Sequence, residues 1–96
     1  MDEVRVIARA LARAGKESQL RNALVAMLTP TRAEPGCRLY QLYESSTRGL
    51  FYFYEEWESQ AALNRHTETP HYKQLAHNIR DFLEGAFEVN ILDSLG

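Results

Sequence analysis

The 96-residue sequence predicts one α+β domain built on a four-stranded antiparallel sheet. Three observations support this fold class. Segments with apolar residues at every second position alternate with segments in which they recur every three or four positions. Residues typical of turns separate these segments. Two adjacent segments are rich in aromatic residues and are joined by a short polar stretch, as in a β-hairpin. The domain is expected to cover residues 1–96.

The first predicted strand runs from Val4 to Ala12, where apolar residues occupy alternate positions. A turn at residues 14–16 follows it. The next segment is predicted to be one amphipathic helix, whose apolar stripe is formed by Leu20, Leu24, Met27, Leu28 and Thr31. Pro30 lacks a backbone donor and is expected to kink this helix near its end. The pair Pro35-Gly36 must end it.

The middle of the chain predicts a β-hairpin with strands at Cys37–Glu44 and Leu50–Trp57. Residues 45–49 between them supply the turn. Ser59 is placed to cap a short helix over residues 60–64, because its hydroxyl can accept a hydrogen bond from a free backbone N–H.

A second amphipathic helix is predicted to begin at Thr69-Pro70, with Thr69 as the N-cap and Pro70 in the first turn. Its buried stripe is formed by Tyr72, Leu75, Ala76, Ile79, Phe82 and Leu83. Gly85 is placed to end it, and Ala86–Leu92 is predicted to be the last strand.

The resulting order, βαββαβ, is the ferredoxin-like arrangement. Two helices would cover one face of its sheet and leave the other face open. Phe51-Tyr52-Phe53-Tyr54 carries aromatic groups on both faces of one strand, which indicates burial on both sides. A second copy of the sheet is the simplest cover, so a homodimer is predicted.

Composition limits the class of protein. Eleven basic and 13 acidic residues give a net charge of -2 without a basic stripe, so no nucleic-acid partner is expected. No apolar stretch approaches the roughly 18 residues of a membrane helix, and the acidic start Met1-Asp2-Glu3 is unlike a signal peptide. A single cysteine, Cys37, favours a reducing compartment. These features predict a cytoplasmic protein without a membrane partner.

Two histidines are candidate catalytic residues. His71 directly follows Pro70, and its neighbour four residues on is Leu75, so its side chain is expected to lean toward the sheet. The positive end of a helix disfavours an imidazolium, which would leave His71 neutral and able to act as a general base. The alternative is a hydrogen bond to the backbone that fixes the helix start. His66 precedes this helix, and the break at residues 67–69 could bring both histidines to one cavity mouth.

No metal site is predicted. The five-residue spacing of His66 and His71 across a helix break is not a ligand pattern, and no second cluster in the sequence completes a coordination shell. Glu34 is assigned a structural role in the turn before the second strand. Cys37 is assigned no chemical role, because nothing near it in sequence would lower the pKa of its thiol.

Glu55 is the third predicted catalytic residue. It shares its strand face with the apolar Phe51, Phe53 and Trp57, where desolvation would raise its pKa and make it a usable acid or base. The alternative is an ion pair with an arginine such as Arg9 or with a residue of the partner chain.

Four aromatic residues are the predicted substrate contacts. Tyr40 and Trp57 would line the pocket and offer a hydroxyl and an indole N–H, with plain core packing as the alternative. Phe53 and Tyr72 complete the set.

Several segments together resemble the antibiotic biosynthesis monooxygenase family. They are Thr31–Cys37 with Tyr40, Phe51–Trp57, Ala61–Leu63 with His66, and Thr69–Tyr72. The resemblance implies a dimeric α+β barrel whose relatives oxidise quinols and polycyclic phenols with molecular oxygen and without a metal or flavin. No cofactor is therefore expected. Phe53 stands where the best-studied polyketide oxygenases have an asparagine, and the first strand lacks the asparagine of the haem-degrading relatives.

The leading hypothesis is a cofactor-independent monooxygenase that oxidises a quinol-like or other electron-rich small molecule, with the substrate and molecular oxygen as its partners. A second hypothesis is an isomerase or proton-shuttling enzyme for a small oxygenated metabolite. This hypothesis follows the resemblance to a family member that processes a phosphorylated quorum-sensing signal. Such a substrate would need cationic groups, for which Arg32, Arg65 and Lys73 are candidates. A third hypothesis is a non-catalytic dimeric binding or stress-response module.

Overall fold

The computed structural model describes residues 3–96, so Met1 and Asp2 of the acidic start lie outside the described residues. The elements follow in the order β1 (Val4–Leu11), α1 (Glu17–Val25), α2 (Leu28–Arg32), β2 (Cys37–Glu44), β3 (Leu50–Trp57), α3 (Gln60–Thr67), α4 (Pro70–Asn78), a 3-10 turn (Ile79–Asp81) and β4 (Glu88–Leu92). Within the described part of the chain, no helix has the length and apolar character needed to cross a membrane.

The four strands form one sheet in the order β2-β3-β1-β4, and each neighbouring pair is antiparallel. Ala8 marks the centre of the sheet, paired with Phe53 on one side and Val89 on the other. This topology confirms the predicted ferredoxin-like α+β fold. The hairpin strands β2 and β3 have the predicted bounds.

All helices that contribute to the core pack against one face of the sheet, which we call the helical face. Alternate residues of β1 and β3 are buried on it, in the pattern expected of strands covered on one side. The largest buried side chains are those of Leu20, Leu24, Phe51, Phe53 and Trp57. The alternate positions of the same strands form the outer face, where residues are only partly buried.

The first helical segment differs from the prediction of one kinked helix. It forms two helices, because Pro30 has no N–H to donate to the carbonyl of Ala26, four residues before it. The chain turns at Ala26-Met27 instead of bending gently, and Pro30 then occupies the third position of α2. The short α2 carries the chain to the turn before β2, where Glu34 lies.

The second helical segment also departs from the prediction. α3 continues to Thr67 instead of ending at Asn64, so His66 belongs to its last turn. α4 ends at Asn78 and tightens into the 3-10 turn. Ala76, which was predicted to be buried, is exposed on α4. Leu83 lies beyond the helix and pairs with Ala12, and β4 begins at Glu88.

Two predicted caps are confirmed, and both position the histidines. Ser59 accepts a hydrogen bond from the Ala62 N–H at 3.1 Å, which fixes the start of α3. Thr69 accepts from the Tyr72 N–H at 3.2 Å and donates to the His66 carbonyl at 2.7 Å. The Thr69 hydroxyl therefore ties the end of the helix that carries His66 to the start of the helix that carries His71.

Gly36 allows the turn after α2 to approach α3 closely. Its φ is +87°, and a Cβ at this position would lie 2.6 Å from the Cβ of Ala62. Only glycine meets both conditions without strain. This close approach brings the Glu34 side chain next to His66.

Candidate active site

A small cavity lies on the helical face, between the sheet and helices α3 and α4. Its volume is about 20 Å³. It is lined by Tyr40, Glu55, Leu63, His66, Thr67, Tyr72, Leu75, Phe87 and Val89. A volume of this size holds about one water molecule, so the cavity is nearly closed in this structure.

Glu55 is a buried carboxyl group on the sheet side of the cavity. Only 5% of the residue is exposed, as its strand position predicts, and Trp57 Nε1 donates a hydrogen bond to its Oε1 at 2.9 Å. Burial raises the pKa of Glu55 from 4.5 to about 7, against the opposing effect of the Trp57 hydrogen bond. Such a group can donate or accept a proton near neutral pH.

The alternative ion pair between Glu55 and Arg9 is wrong for this chain. Arg9 pairs with Tyr52 in the sheet and lies on the outer face, whereas Glu55 faces the helices. Among residues 3–96, Glu55 has no cationic partner within ion-pair distance.

His66 is the most buried titratable residue of the cavity wall, with 2% of the residue exposed. Its ring packs against Trp57, with ring centroids 4.6 Å apart, and against Tyr72 at 5.0 Å. Its Nδ1 lies 2.7 Å from Oε2 of Glu34. Burial lowers the pKa of His66 below its usual value, although the Glu34 carboxylate opposes this shift. His66 is therefore neutral at pH 7.

The contact with Glu34 fixes which nitrogen of His66 carries the proton. An ionised carboxylate can only accept, so Nδ1 is protonated and Nε2 holds the free lone pair. Nε2 has no hydrogen-bond partner within the described chain. Among the residues described, Thr31 Oγ1 is the single side-chain atom that is both fully buried and without a hydrogen-bond partner. His66 Nε2 has no partner and is therefore not fully buried. Since the His66 ring lines the cavity, we infer that this accessible nitrogen faces that space.

His71 does not line this cavity. Its Nε2 lies 2.6 Å from the same Oε2 of Glu34, and 24% of its side chain is exposed. It borders a separate surface groove of about 150 Å³ between α1 and α4. The two histidines are thus joined through Glu34 rather than by meeting at one cavity mouth.

Glu34 is the functional residue that sequence reasoning missed. Its backbone carbonyl does stabilise the turn into β2, by accepting from the Cys37 N–H at 3.1 Å. Its carboxylate, which is only 9% exposed, instead accepts from both histidines. The partners lie 32 and 37 residues away in sequence, so no local pattern indicates the contact. The one available signal was that Glu34 belongs to a segment resembling the family.

Glu34, His66 and His71, which we call the His–Glu–His triad, also form a group able to hold a metal ion. The three ligand atoms lie within 4.8 Å of one another. Ligand atoms around a tetrahedral zinc ion are about 3.4 Å apart, given bonds of about 2.1 Å. The N–O distances of 2.7 and 2.6 Å are those of hydrogen bonds. In this structure the three side chains of the triad are joined by hydrogen bonds, and each is of a type that can also ligate a metal ion.

The four predicted substrate contacts divide into two pairs. Tyr40 and Tyr72 line the cavity, and burial raises the pKa of both hydroxyls, so both are protonated donors. Phe53 and Trp57 do not line it. Phe53 stacks on Tyr40 at 4.8 Å, and Trp57 holds Glu55. Both therefore contact residues that line the cavity and do not line it themselves.

None of the candidate phosphate-binding residues lines the cavity. Arg32 donates to the Tyr40 carbonyl at 2.8 Å and to Gln41, while Lys73 pairs with Glu68 at the surface. Arg65 is exposed. Burial raises the pKa of the Cys37 thiol to about 11, so the thiol is protonated near neutral pH.

The chain is similar to a described protein family and to several solved structures. A family model described as "Antibiotic biosynthesis monooxygenase" matches residues 3–78. Rv0793 of Mycobacterium tuberculosis, whose name gives monooxygenase as a provisional activity, is 42% identical over 92 residues, or 96% of this chain and 91% of that protein. Its structure aligns with a TM-score of 0.92 and 41% identity, covering 98% of this chain and 96% of its own. The structure of PA3566 from Pseudomonas aeruginosa aligns with a TM-score of 0.92 and 31% identity, over 100% of this chain and 97% of its own.

Proposed function

This chain belongs to the antibiotic biosynthesis monooxygenase family, and from that membership we propose that it is a cofactor-independent monooxygenase for a small quinol-like or other electron-rich aromatic compound. One observation carries the proposal. A neutral, desolvated His66 presents a basic nitrogen to a cavity that also contains Glu55, whose pKa is about 7. These groups meet the requirement of the reaction, which is to remove a phenolic proton inside a dry site.

In the proposed reaction, His66 Nε2 takes the proton of a substrate hydroxyl. The anion that remains transfers an electron to O2, and the two radicals combine to form a C–O bond at a ring carbon. Loss of water then completes the oxidation of the ring. A quinol therefore consumes one O2, keeps one oxygen atom as a hydroxyquinone and releases the other as water with two of its own hydrogens. The substrate supplies all four electrons.

Each side chain of the cavity has a role in this scheme. Glu34 holds His66 in the tautomer with a free Nε2 and stabilises the imidazolium that forms, as a carboxylate does for a catalytic histidine. The Tyr72 hydroxyl is a protonated donor for a substrate oxygen. Glu55 can exchange a proton with the second hydroxyl of a quinol.

The charge of the cavity favours a neutral substrate. No lysine or arginine belongs to its lining in the described chain, and Glu55 would repel an anion. A phosphorylated substrate, as the second hypothesis requires, has no counter-charge at this site. An isomerase acting on an uncharged metabolite could use the same side chains. It would work equally well under argon, whereas an oxygenase would not.

The small cavity volume favours the third hypothesis, a non-catalytic module. A volume of about 20 Å³ cannot enclose an aromatic ring, so a substrate must displace residues at the rim. Phe87 and Val89 are at the rim, and Val89 belongs to the edge strand β4 and is 48% exposed. If this rim does not open, the protein is a non-catalytic module that has kept the fold.

Oxygen uptake by the EDTA-treated protein with a panel of quinols tests the proposal. We expect at least one quinol to be oxidised faster than in buffer or with heat-denatured protein. Catalase added afterwards should return no oxygen, because the second atom leaves as water and not as peroxide. Labelled O2 should place one heavy atom in the product. A panel without acceleration, or turnover of the same compounds under argon, would refute the monooxygenase.

We also propose that the protein is a homodimer joined through the outer face. This face carries Ile7, Leu11, Leu39, Tyr43, Leu50, Tyr52, Tyr54 and Leu92. These eight residues share the face with Arg5, Arg9, Gln41, Glu56, Glu88 and Asn90, and this amount of apolar surface outside the core is unusual on a monomer. Arg9 and Glu56 on the same face can pair across a two-fold axis, and a second identical sheet matches it in size and shape.

Sedimentation at low micromolar concentration tests the homodimer. The wild-type chain should sediment as a dimer, and Tyr52→Glu should sediment as a monomer, since it places a charge at the middle of the outer face. Val25→Glu is the matched control, because Val25 is 48% exposed on α1, away from this face. A wild-type monomer, or a Tyr52→Glu variant that stays dimeric, would contradict the proposed interface.

A further inference from the structure

We propose that the His–Glu–His triad is a binding site for a borderline divalent transition metal of the Zn²⁺ type, and that the bound ion prevents His66 from acting as a base. The binding site stands on the geometry of the triad alone. Its effect on His66 rests on the function proposed above.

The ligand set is suited to such an ion. Two imidazole nitrogens and one carboxylate oxygen are a ligand set of catalytic zinc sites, which keep a fourth position for water. Imidazole favours Zn²⁺, Co²⁺, Ni²⁺ and Cu²⁺ over Ca²⁺ or Mg²⁺. The ligands come from three elements, namely the turn before β2, the end of α3 and the start of α4. Gly36 and Thr69 hold these elements together through the contacts described above.

Only a small movement is needed to admit the ion. The N–O distances of 2.6 and 2.7 Å must widen by about 0.8 Å to reach the separation expected around tetrahedral zinc. Movement of His71 can widen its own distance to Glu34, because its side chain is 24% exposed and borders the open groove between α1 and α4. The distance from the buried His66 has to widen through movement of the Glu34 carboxylate. The same groove brings solvent to His71, the member of the triad that lines it.

The protons that the ion displaces have a place to go. A metal on His66 Nδ1 and His71 Nε2 requires both nitrogens to be unprotonated. The other nitrogen of each ring has no hydrogen-bond partner among residues 3–96, so each proton can move to it without breaking another contact. Both histidines thus change tautomer and remain neutral.

The tautomer change has a direct consequence for the cavity. With a metal on Nδ1, the proton of His66 resides on Nε2, which is the nitrogen open to the cavity. A protonated Nε2 can donate but cannot remove a proton from a substrate. Metal binding and base catalysis by His66 are therefore mutually exclusive.

Calorimetric titration with Zn²⁺ tests the site, using full-length protein without an affinity tag after EDTA treatment and dialysis. We expect one ion per chain. Glu34→Gln and His71→Gln should each lower the affinity at least about 100-fold, because even the loss of a residue that supports a ligand costs 10–100-fold. His77→Gln is the matched control, since His77 is exposed on the same helix as His71 and should leave the affinity unchanged.

Two spectroscopic readouts identify the ligands. Co²⁺ in place of Zn²⁺ should give visible absorption bands that are lost in His71→Gln, the variant whose partly exposed position makes folding least sensitive to change. ¹⁵N NMR of the histidines should show the proton of His66 on Nδ1 without metal and on Nε2 with it. Absence of saturable binding, or equal binding in wild type, Glu34→Gln and His71→Gln, would overturn the site.

Inhibition of oxygen uptake then tests the effect on His66 separately. Zn²⁺ should inhibit wild-type oxidation, and half-inhibition of His71→Gln, measured against its own metal-free rate, should need at least about 100-fold more Zn²⁺. Binding without inhibition would refute the effect but keep the site. If the wild-type protein oxidises no quinol, the monooxygenase fails while calorimetry still decides whether the metal binds.

Discussion

Replacing Glu55 by glutamine is expected to stabilise the protein progressively as the pH rises. Relative to the wild type, the free energy of unfolding of the Glu55→Gln variant should increase by about 3 kcal/mol between about pH 4.5 and about pH 8. The reason is the raised pKa of Glu55, which is about 7 in the folded chain against 4.5 in the unfolded one. Each unit of difference corresponds to about 1.4 kcal/mol.

The wild type loses stability as the pH rises because the ionised form of Glu55 is disfavoured in the folded chain. Below its unfolded pKa of 4.5, Glu55 is protonated in both the folded and the unfolded state, so its ionisation does not lower the free energy of unfolding. As the pH rises toward 7, the unfolded chain releases the proton while the folded chain retains it, so folding is progressively disfavoured. Above about pH 7 the folded carboxyl must ionise among Trp57, Tyr40 and the nearby negative Glu34, and the loss is complete. His66 offers no compensation, because burial keeps it neutral.

Glutamine removes this pH dependence and little else. It has the shape of glutamate, and its carbonyl oxygen can still accept from Trp57 Nε1. Any cost of burying the amide is the same at every pH and cancels from the comparison. Chemical denaturation across the pH range measures the effect, with the exposed Glu58→Gln as control. A pH-independent difference between Glu55→Gln and wild type would show that Glu55 ionises normally.

The strands were predictable from the sequence because their patterns are local. The hairpin bounds at residues 37–44 and 50–57 follow from aromatic alternation and the polar turn between the strands. Helix ends were less predictable. The stripe from Leu20 to Thr31 has helical spacing throughout, yet Pro30 removes one hydrogen bond and the chain breaks a full turn earlier. Periodicity reports which side chains face the core and does not report whether the helix is continuous.

The site was predictable only in part, for a related reason. Glu55 and His66 occupy positions where strand parity and the approach to α4 indicate a cavity, and both line it. Glu34 could not be identified as their partner. Its role depends on the close approach of the turn at Gly36 to Ala62, a tertiary contact without a local sequence signal.

Substitution of His66 is expected to have the largest effect on activity. With the best quinol of the panel, His66→Asn should lower the rate of oxidation by about 100-fold to 10,000-fold, the usual contribution of a general base. Asparagine can place its Nδ2 where Nδ1 of histidine lies and can still donate to Glu34 Oε2. It has no counterpart of Nε2. The variant thus keeps the contact that joins the triad and loses only the basic nitrogen that is open to the cavity.

The matched control for this variant is His77→Asn, which makes the same change at an exposed position of α4 and should retain the wild-type rate. Circular dichroism and the unfolding midpoint establish that His66→Asn is folded. A folded His66→Asn variant within about tenfold of the wild-type rate would show that His66 is not the base. Glu55 would then be the remaining titratable group of the cavity able to take the substrate proton.

Chemical rescue separates loss of a base from loss of shape. His66→Ala removes the whole ring, which is 2% exposed and packed between Trp57 and Tyr72, and so leaves a space matched to free imidazole. Added imidazole should restore part of the oxidation rate, because it returns a basic nitrogen to the same place beside Glu34. N-methylation of the added imidazole should reduce this rescue, since Glu34 requires an N–H donor on one side while the substrate requires a lone pair on the other. A merely structural His66 would give no dependence on the basicity of the added compound, so a rate that rises with it is direct evidence for proton removal at this position.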